Sequence, residues 1–78
     1  MRKQFKPESS IYSLIAENIY SARTAQRLTQ KEFGDRYGKC QSSVAGWEAS
    51  RREISGALYL QILNDYHAWS KARWAARP

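Results

Sequence analysis

A chain of 78 residues is long enough for one domain and too short for two that would each bury a hydrophobic core. Its net charge of +6 is compatible with a polyanionic partner such as nucleic acid and equally with ordinary solubility charge. With one cysteine, Cys40, and one histidine, His67, it offers neither an intrachain disulfide nor a cluster of soft metal ligands. No apolar run approaches the roughly 18 residues of a membrane span, and no signal-peptide core follows the charged N-terminus. We therefore expect a cytoplasmic protein without a membrane partner.

The N-terminal part of the chain predicts a flexible arm followed by a first helix. Residues 1–8 are basic and lack hydrophobic periodicity, which is typical of a mobile basic arm. Ser9 or Ser10 can cap a helix predicted at about 10–27. Its apolar residues recur mostly at three- and four-residue steps, which indicates an amphipathic helix with one buried stripe. The stripe comprises Ile11, Leu14, Ile15, Ile19, Ala22 and Leu28.

Two short helices and a glycine turn are predicted next. Thr29 and Glu32 have the spacing of a capping box at the start of a helix at about 30–37. Gly38 follows directly, and because glycine adopts a left-handed conformation without steric cost, it can end this helix and turn the chain. The third helix is predicted at 41–49.

The third helix has two unlike faces. Val44 and Trp47 lie three residues apart on a face that we expect to pack in the core, so that Trp47 is a core residue and not a base-stacking one. Small and polar residues occupy most of the opposite face, which leaves it free to contact a partner. They are Gln41, Ser42, Ala45, Gly46 and Ala49.

A fourth amphipathic helix is predicted at about 55–67, with apolar residues at helical spacing. They are Leu58 or Tyr59, Ile62, Leu63 and Tyr66. Residues 68–78 contain Trp69 and Trp74 and either extend this helix, form a fifth or stay loose. The predicted organisation is an all-α domain at residues 9–67 with a C-terminal extension that is a candidate dimerisation element.

The spacing of residues 30–48 predicts a helix-turn-helix, in which one helix braces another that enters the major groove of DNA. Gly34 lets the two helices cross closely and Gly38 makes the turn, while Val44 and Trp47 anchor the second helix of the motif. The predicted core of the motif comprises Phe33, Gly34, Gly38, Val44 and Trp47.

This stretch resembles the phage repressor and Cro family of XRE-like helix-turn-helix transcriptional regulators. The resemblance spans about residues 11–66 and is carried by Arg23, the LTQKEF sequence of residues 28–33, Gly38 and the VAGWE sequence of residues 44–48. It implies a compact four- to five-helix repressor-like domain, bacterial or phage-encoded, that binds a palindromic operator as a homodimer. Repression is the expected outcome for a domain that stands alone.

The resemblance also implies which residues contact DNA. The implied base readers in helix 41–49 are Gln41, Ser42, Ser43 and Gly46. The implied contacts to the DNA backbone are Gln30, Arg23, Lys39, Arg51 and Arg52. An ion pair between Arg23 and Glu48 is implied to hold the guanidinium near the backbone.

The same residues also have interpretations that do not depend on direct base reading. Gln41 and Ser43 are alternatively helix caps, and Arg23 and Glu48 are alternatively solvated surface charges. Because residues 45 and 46 are small, a second interpretation is that few side chains contact the bases directly. DNA shape would then supply part of the specificity. Cys40 is interpreted as a turn or cap residue.

An enzyme is excluded by the sequence pattern, which lacks a phosphate-binding loop, a metal-ligand cluster and a nucleophile with its base, and no cofactor is expected. The rival function is an antitoxin or antirepressor-type module that binds another protein. Trp69, Trp74 and Leu60 exceed what so small a core needs and predict a surface for a second subunit or a protein partner. RNA binding ranks below both, since the exposed face lacks aromatic stacking platforms.

Overall fold

The computed structural model describes residues 7–75, with side chains from residue 13 onward. This range contains four α-helices and no β-strand: α1 is Pro7–Ala25, α2 Gln30–Arg36, α3 Gln41–Glu48 and α4 Gly56–Ala75. Helix α1 packs against both α3 and α4, and α2 packs against α3. The predicted all-helical class is thereby confirmed. No helix in the described part of the chain has the length and apolarity needed to cross a membrane.

The hydrophobic core draws on every helix. The largest fully buried side chains are Ile19 of α1, Phe33 of α2, Val44 of α3 and Ile62 of α4. Burial of an aliphatic or aromatic side chain of this size stabilises a fold by roughly 1.5–3 kcal/mol relative to an exposed one. These four residues therefore hold the helices together, and Trp47 lies in the same buried cluster.

The start of α1 differs from the sequence prediction. The helix begins at Pro7, so Ser9 and Ser10 lie inside it and neither is its N-cap. Proline suits a first helical turn, because its missing N–H would have no intrahelical acceptor there. Residues 1–6 of the predicted arm lie outside the described residues.

The buried stripe of α1 is also displaced from the predicted one, and the side chain of Ile11 lies outside those described. Ile19 and Ala22 are fully buried, and Ile15 packs against the core beside them. Leu14 is 57% exposed, whereas Ala16 is buried. The buried residues thus extend around the helix from Ile15 toward Ala16. Successive residues are 100° apart, so Leu14 lies on the opposite side of Ile15 from Ala16.

Three helices end in the same backbone arrangement. The residue after the C-cap has positive φ in each case: Arg27 (58°) after α1, Gly38 (69°) after α2 and Ser50 (60°) after α3. Two N–H groups beyond each helix donate back into its last turn, as in a Schellman motif. After α2, for example, Lys39 N–H donates to Gly34 O at 2.8 Å, with the shorter-range bond from Gly38 beside it. The sequence predicted this ending only at Gly38, because glycine marks it there alone.

Helix α4 is longer than predicted. Of the alternatives for the C-terminal segment, extension of the fourth helix is the one observed, as far as residue 75. It continues without a break from Gly56 to Ala75, so His67 lies in mid-helix. Residues 76–78 lie outside the described residues. The first half of α4 packs on the core through Ile62, with three half-buried neighbours at helical spacing: Leu58, Tyr59 and Tyr66.

The second half of α4 carries aromatic side chains past the core. Trp69 is half-buried and stacks on Tyr66 with ring centroids 5.9 Å apart, and the Arg73 guanidinium lies 5.0 Å from the Trp69 ring centre. Trp74 is 67% exposed and Leu60 is 60% exposed. Trp69 therefore belongs to the edge of the folded unit, whereas Trp74 and Leu60 lie on its surface.

Candidate nucleic-acid interface

The turn between α2 and α3 depends on two glycines for different reasons. A Cβ at Gly34 would lie 2.6 Å from the Lys39 carbonyl oxygen, closer than real Cβ atoms approach backbone. Gly34 thus lets the turn pass directly over α2. A Cβ at Gly38 would meet no atom within 4 Å, so glycine is needed there only for its positive φ.

The start of α2 is held by a reciprocal cap. The Glu32 N–H donates to the Thr29 hydroxyl at 3.1 Å, and the Thr29 N–H donates to the Glu32 carboxylate at 2.8 Å. This capping box satisfies two backbone donors that would otherwise lack partners. The first residue of α2, Gln30, is thereby fixed beside α3.

The outward face of α3 is made of small and polar side chains. Val44 and Trp47 are buried on the opposite side of the helix. Gln41, Ser42 and Ala49 are exposed, and Ala45 is half-exposed. Gln41 is therefore the one long side chain among the exposed residues of this face, and different groups border the face on its two sides.

One border is a network around the Glu48 carboxylate. Arg23 donates to it twice, and its Nη1 also donates to the Leu28 carbonyl at 2.9 Å. Gln30 Nε2 donates to Glu48 Oε1 at 3.1 Å. The hydrogen bond to Glu48 raises the pKa of Arg23 further above its ordinary value, against the opposing effect of burial. The implied ion-pair partners and the implied phosphate contact are thus neighbours at this border.

The other border is formed by a residue from the loop after α3. Arg52 Nη1 donates to the Ser43 hydroxyl at 2.9 Å, and the aliphatic part of Arg52 lies against Gly46. Gly46 is consequently buried, which differs from the expectation that it stands in the exposed face. The reason is the missing side chain at this position, which leaves a space that Arg52 fills. The family resemblance implies only a DNA-backbone contact for Arg52, and no feature of the sequence indicates its position against α3.

Two further cations lie near the ends of α3. Lys39 precedes the helix and Arg51 follows it, and both side chains are exposed. Both cations of α2 have protein partners: Lys31 forms an exposed ion pair with Asp35 at 3.1 Å, and Arg36 donates to Gln26 Oε1 at 2.8 Å. Lys39 and Arg51 are therefore better placed than the α2 cations to meet a phosphate near α3.

Cys40 is the N-cap of α3, consistent with its interpretation as a cap residue. Its Sγ lies 3.1 Å from the Ser42 hydroxyl and 3.5 Å from the Ser43 hydroxyl. Hydrogen bonds from these two groups lower the pKa of the Cys40 thiol to about 6. Among the side chains of residues 13–75, no three His, Cys, Asp or Glu residues are grouped so that they could hold a metal ion.

No protein-family model matches this chain, and neither a curated protein nor a solved structure matches it.

Proposed function

We propose that this chain is a sequence-specific double-stranded DNA-binding protein, a transcriptional regulator in which α2 and α3 form a helix-turn-helix. The observation that carries the proposal is the two-sidedness of α3: Val44 and Trp47 fix one face in the core, and the other face is small, polar and exposed. An α-helix fits the major groove of B-DNA, which is about 12 Å wide. The short side chains of Ser42, Ala45 and Ala49 on the outer face let the helix backbone come close to the base edges.

The charge distribution supports the proposal. The chain carries a net charge of +6, and Lys39 and Arg51 are exposed near the two ends of α3. Cations there would neutralise phosphates on either side of the groove. Gln30 gives one amide hydrogen to Glu48, and because a carboxamide has two, the second is available for a phosphate oxygen.

Base reading is proposed for Gln41, with Ser42 beside it. Gln41 is the first residue of α3 and the longest exposed side chain on that helix. A carboxamide matches the N6 and N7 edge of adenine with two hydrogen bonds, a contact that contributes about 1–3 kcal/mol of discrimination. The resemblance to the phage repressor and Cro family supports the same assignment.

The proposed assembly is a homodimer on a palindromic operator, acting as a repressor. Leu60 and Trp74 are exposed on α4, and their separation of 14 residues brings them to similar sides of the helix. A two-fold pair joined through α4 would present two copies of α3 to half-sites about 34 Å apart. Light scattering on the wild-type chain and on Trp74→Ala tests this, with loss of dimer expected in the variant. A monomeric wild-type chain would contradict it.

Selection from a random duplex DNA pool at about physiological salt tests the function, because nonspecific binding is weak there. The expected result is an enriched inverted repeat. Gln41→Ala should lose its base preference at one position of each half-site. Lys39→Ala, the matched control, should weaken all sequences alike and lower the salt dependence by about one unit of slope. Absence of enrichment with the folded wild-type chain would refute the proposal.

A second candidate is a protein-interaction module of the antitoxin or antirepressor type. It is favoured by the large exposed side chains of Leu60 and Trp74 on a helix that extends past the core. The same selection separates the two functions: a protein-binding module would show salt-sensitive binding to duplex DNA without sequence enrichment. Tighter binding to RNA than to DNA at matched salt would contradict the major-groove proposal as well.

A further inference from the structure

We infer that Arg52, a loop residue outside α3, is a specificity-determining residue that reads a guanine in the major groove from the position Gly46 leaves vacant. This inference rests on the proposed function, since it assigns a base contact within the same DNA interface. Helix α3 has no cation of its own, as its sequence is QSSVAGWE. The commonest specific contact to a guanine uses an arginine or lysine, so in this chain such a contact has to come from a residue outside the helix.

Gly46 and Arg52 fit each other closely. A Cβ at Gly46 would lie 2.8 Å from both Cγ and Cδ of Arg52 and 3.1 Å from its Cβ. The Arg52 side chain therefore occupies the space where any other residue at position 46 would project. Its methylene groups cover the helix backbone, and it stands where a side chain from the outer part of α3 would stand.

The loop backbone is fixed to the same point of the helix. The N–H groups of Arg51 and Arg52 both donate to the Gly46 carbonyl, at 2.8 and 3.2 Å. The side chain is then held a second time, because Arg52 Nη1 donates to the Ser43 hydroxyl at 2.9 Å. An arginine loses much of its rotamer freedom when it binds, and here part of that loss has already occurred in the free protein.

The guanidinium retains the donors that a guanine requires. Arginine has five N–H groups, and the bond to Ser43 uses one of them. The others include pairs that match guanine O6 and N7 with two parallel hydrogen bonds. Since Ser43 and Gly46 border the outward face of α3, the guanidinium lies beside the side chains that would enter the groove.

Arg51 provides a matched control. It is the neighbouring residue, has the same charge and is exposed, whereas the three atoms nearest to a Cβ at Gly46 all belong to Arg52. The experiment compares Arg52→Met with Arg51→Met, since methionine keeps aliphatic packing and removes the guanidinium. Binding is measured to the selected operator and to operators with each guanine replaced in turn.

The expected result is specific to Arg52. Arg52→Met should lose at least about fivefold in its preference for guanine at one position of each half-site, the lower bound for one bidentate contact. Arg51→Met should weaken every operator by the same factor. Gly46→Ala should reproduce the loss of guanine preference with an unchanged net charge, because the added Cβ displaces the Arg52 side chain.

The outcomes separate the two proposals. If Arg52→Met weakens all operators equally, Arg52 is a phosphate contact and the inference is wrong, while DNA binding by α3 stands. If the wild-type chain selects no operator, the proposed function itself fails. Circular dichroism monitors folding of Gly46→Ala, and if that variant does not fold, the comparison of the two methionine variants decides the inference alone.

Discussion

Arg23 and Glu48 form a bidentate ion pair between α1 and α3, with Nε 2.6 Å from Oε2 and Nη2 3.0 Å from Oε1. The two side chains are only 13% and 9% exposed, so the pair is less screened by water than a surface pair. Gln30 donates to the same carboxylate from α2. One glutamate therefore connects three helices next to the proposed interface.

Removing this carboxylate should destabilise the fold. Glu48→Ala would leave the partly buried Arg23 guanidinium without its partner, and we expect the free energy of unfolding to fall by about 1–3 kcal/mol. Lys31→Ala is the control, because the Lys31–Asp35 pair is 72% and 63% exposed. That variant should change stability by less than about 1 kcal/mol. Urea unfolding measures both, and equal effects in the two variants would contradict the prediction.

The positive-φ residues should respond to substitution in opposite directions. Gly38→Ala should lower the free energy of unfolding by about 1–2 kcal/mol, the cost of a left-handed conformation for a residue with a Cβ. Arg27→Gly should raise the free energy of unfolding by roughly 0.5–1 kcal/mol. The substitution removes the cost of the left-handed conformation, and the higher conformational entropy of glycine in the unfolded chain offsets part of that gain. Thermal unfolding of both variants checks this, and a loss of stability in Arg27→Gly would refute it.

Gly34→Ala tests the close approach of the turn to α2. The new Cβ would lie 2.6 Å from the backbone oxygen of Lys39, and backbone cannot move aside as a side chain can. We expect a loss of about 1–3 kcal/mol in unfolding free energy, as for other overpacked sites. Gly56→Ala is the control at the first residue of α4, where a Cβ meets no atom within 4 Å. Comparable losses in both variants would rule out the steric explanation.

Cys40 should react as a thiolate at neutral pH. The Ser42 and Ser43 hydroxyls lower its thiol pKa to about 6, so its alkylation rate by iodoacetamide should rise through a midpoint near that pH. Because the folded-state pKa is below the unfolded one, the associated stability is fully present above the unfolded pKa and is lost as pH falls through about 6. The double variant Ser42→Ala, Ser43→Ala should shift the midpoint toward about 8.5, the value of a free cysteine. An unshifted midpoint would show that the hydroxyls are not the cause.

Local signals explain which elements were predicted well. The bounds of α2 and α3 agree with the sequence prediction to within one residue, because a capping box starts α2 and a glycine turn separates the two helices. These signals act between residues that are close in the chain. The length of α4 was underestimated, since residues 68–75 lack an apolar stripe and their helix continues beyond the part that packs on the core.

The amino-acid sequence by itself determined the all-helical class, the glycine turn at Gly38 and the core positions of Val44 and Trp47, since these follow from spacing and from glycine's freedom at positive φ. Only the tertiary structure decided that Ser50 adopts the same backbone conformation as Gly38 without being glycine. It also decided that Arg52 covers Gly46. The physical reason is that both depend on packing between the loop after α3 and the helix, and no local pattern of residues encodes a contact that forms only when the chain has folded back on itself.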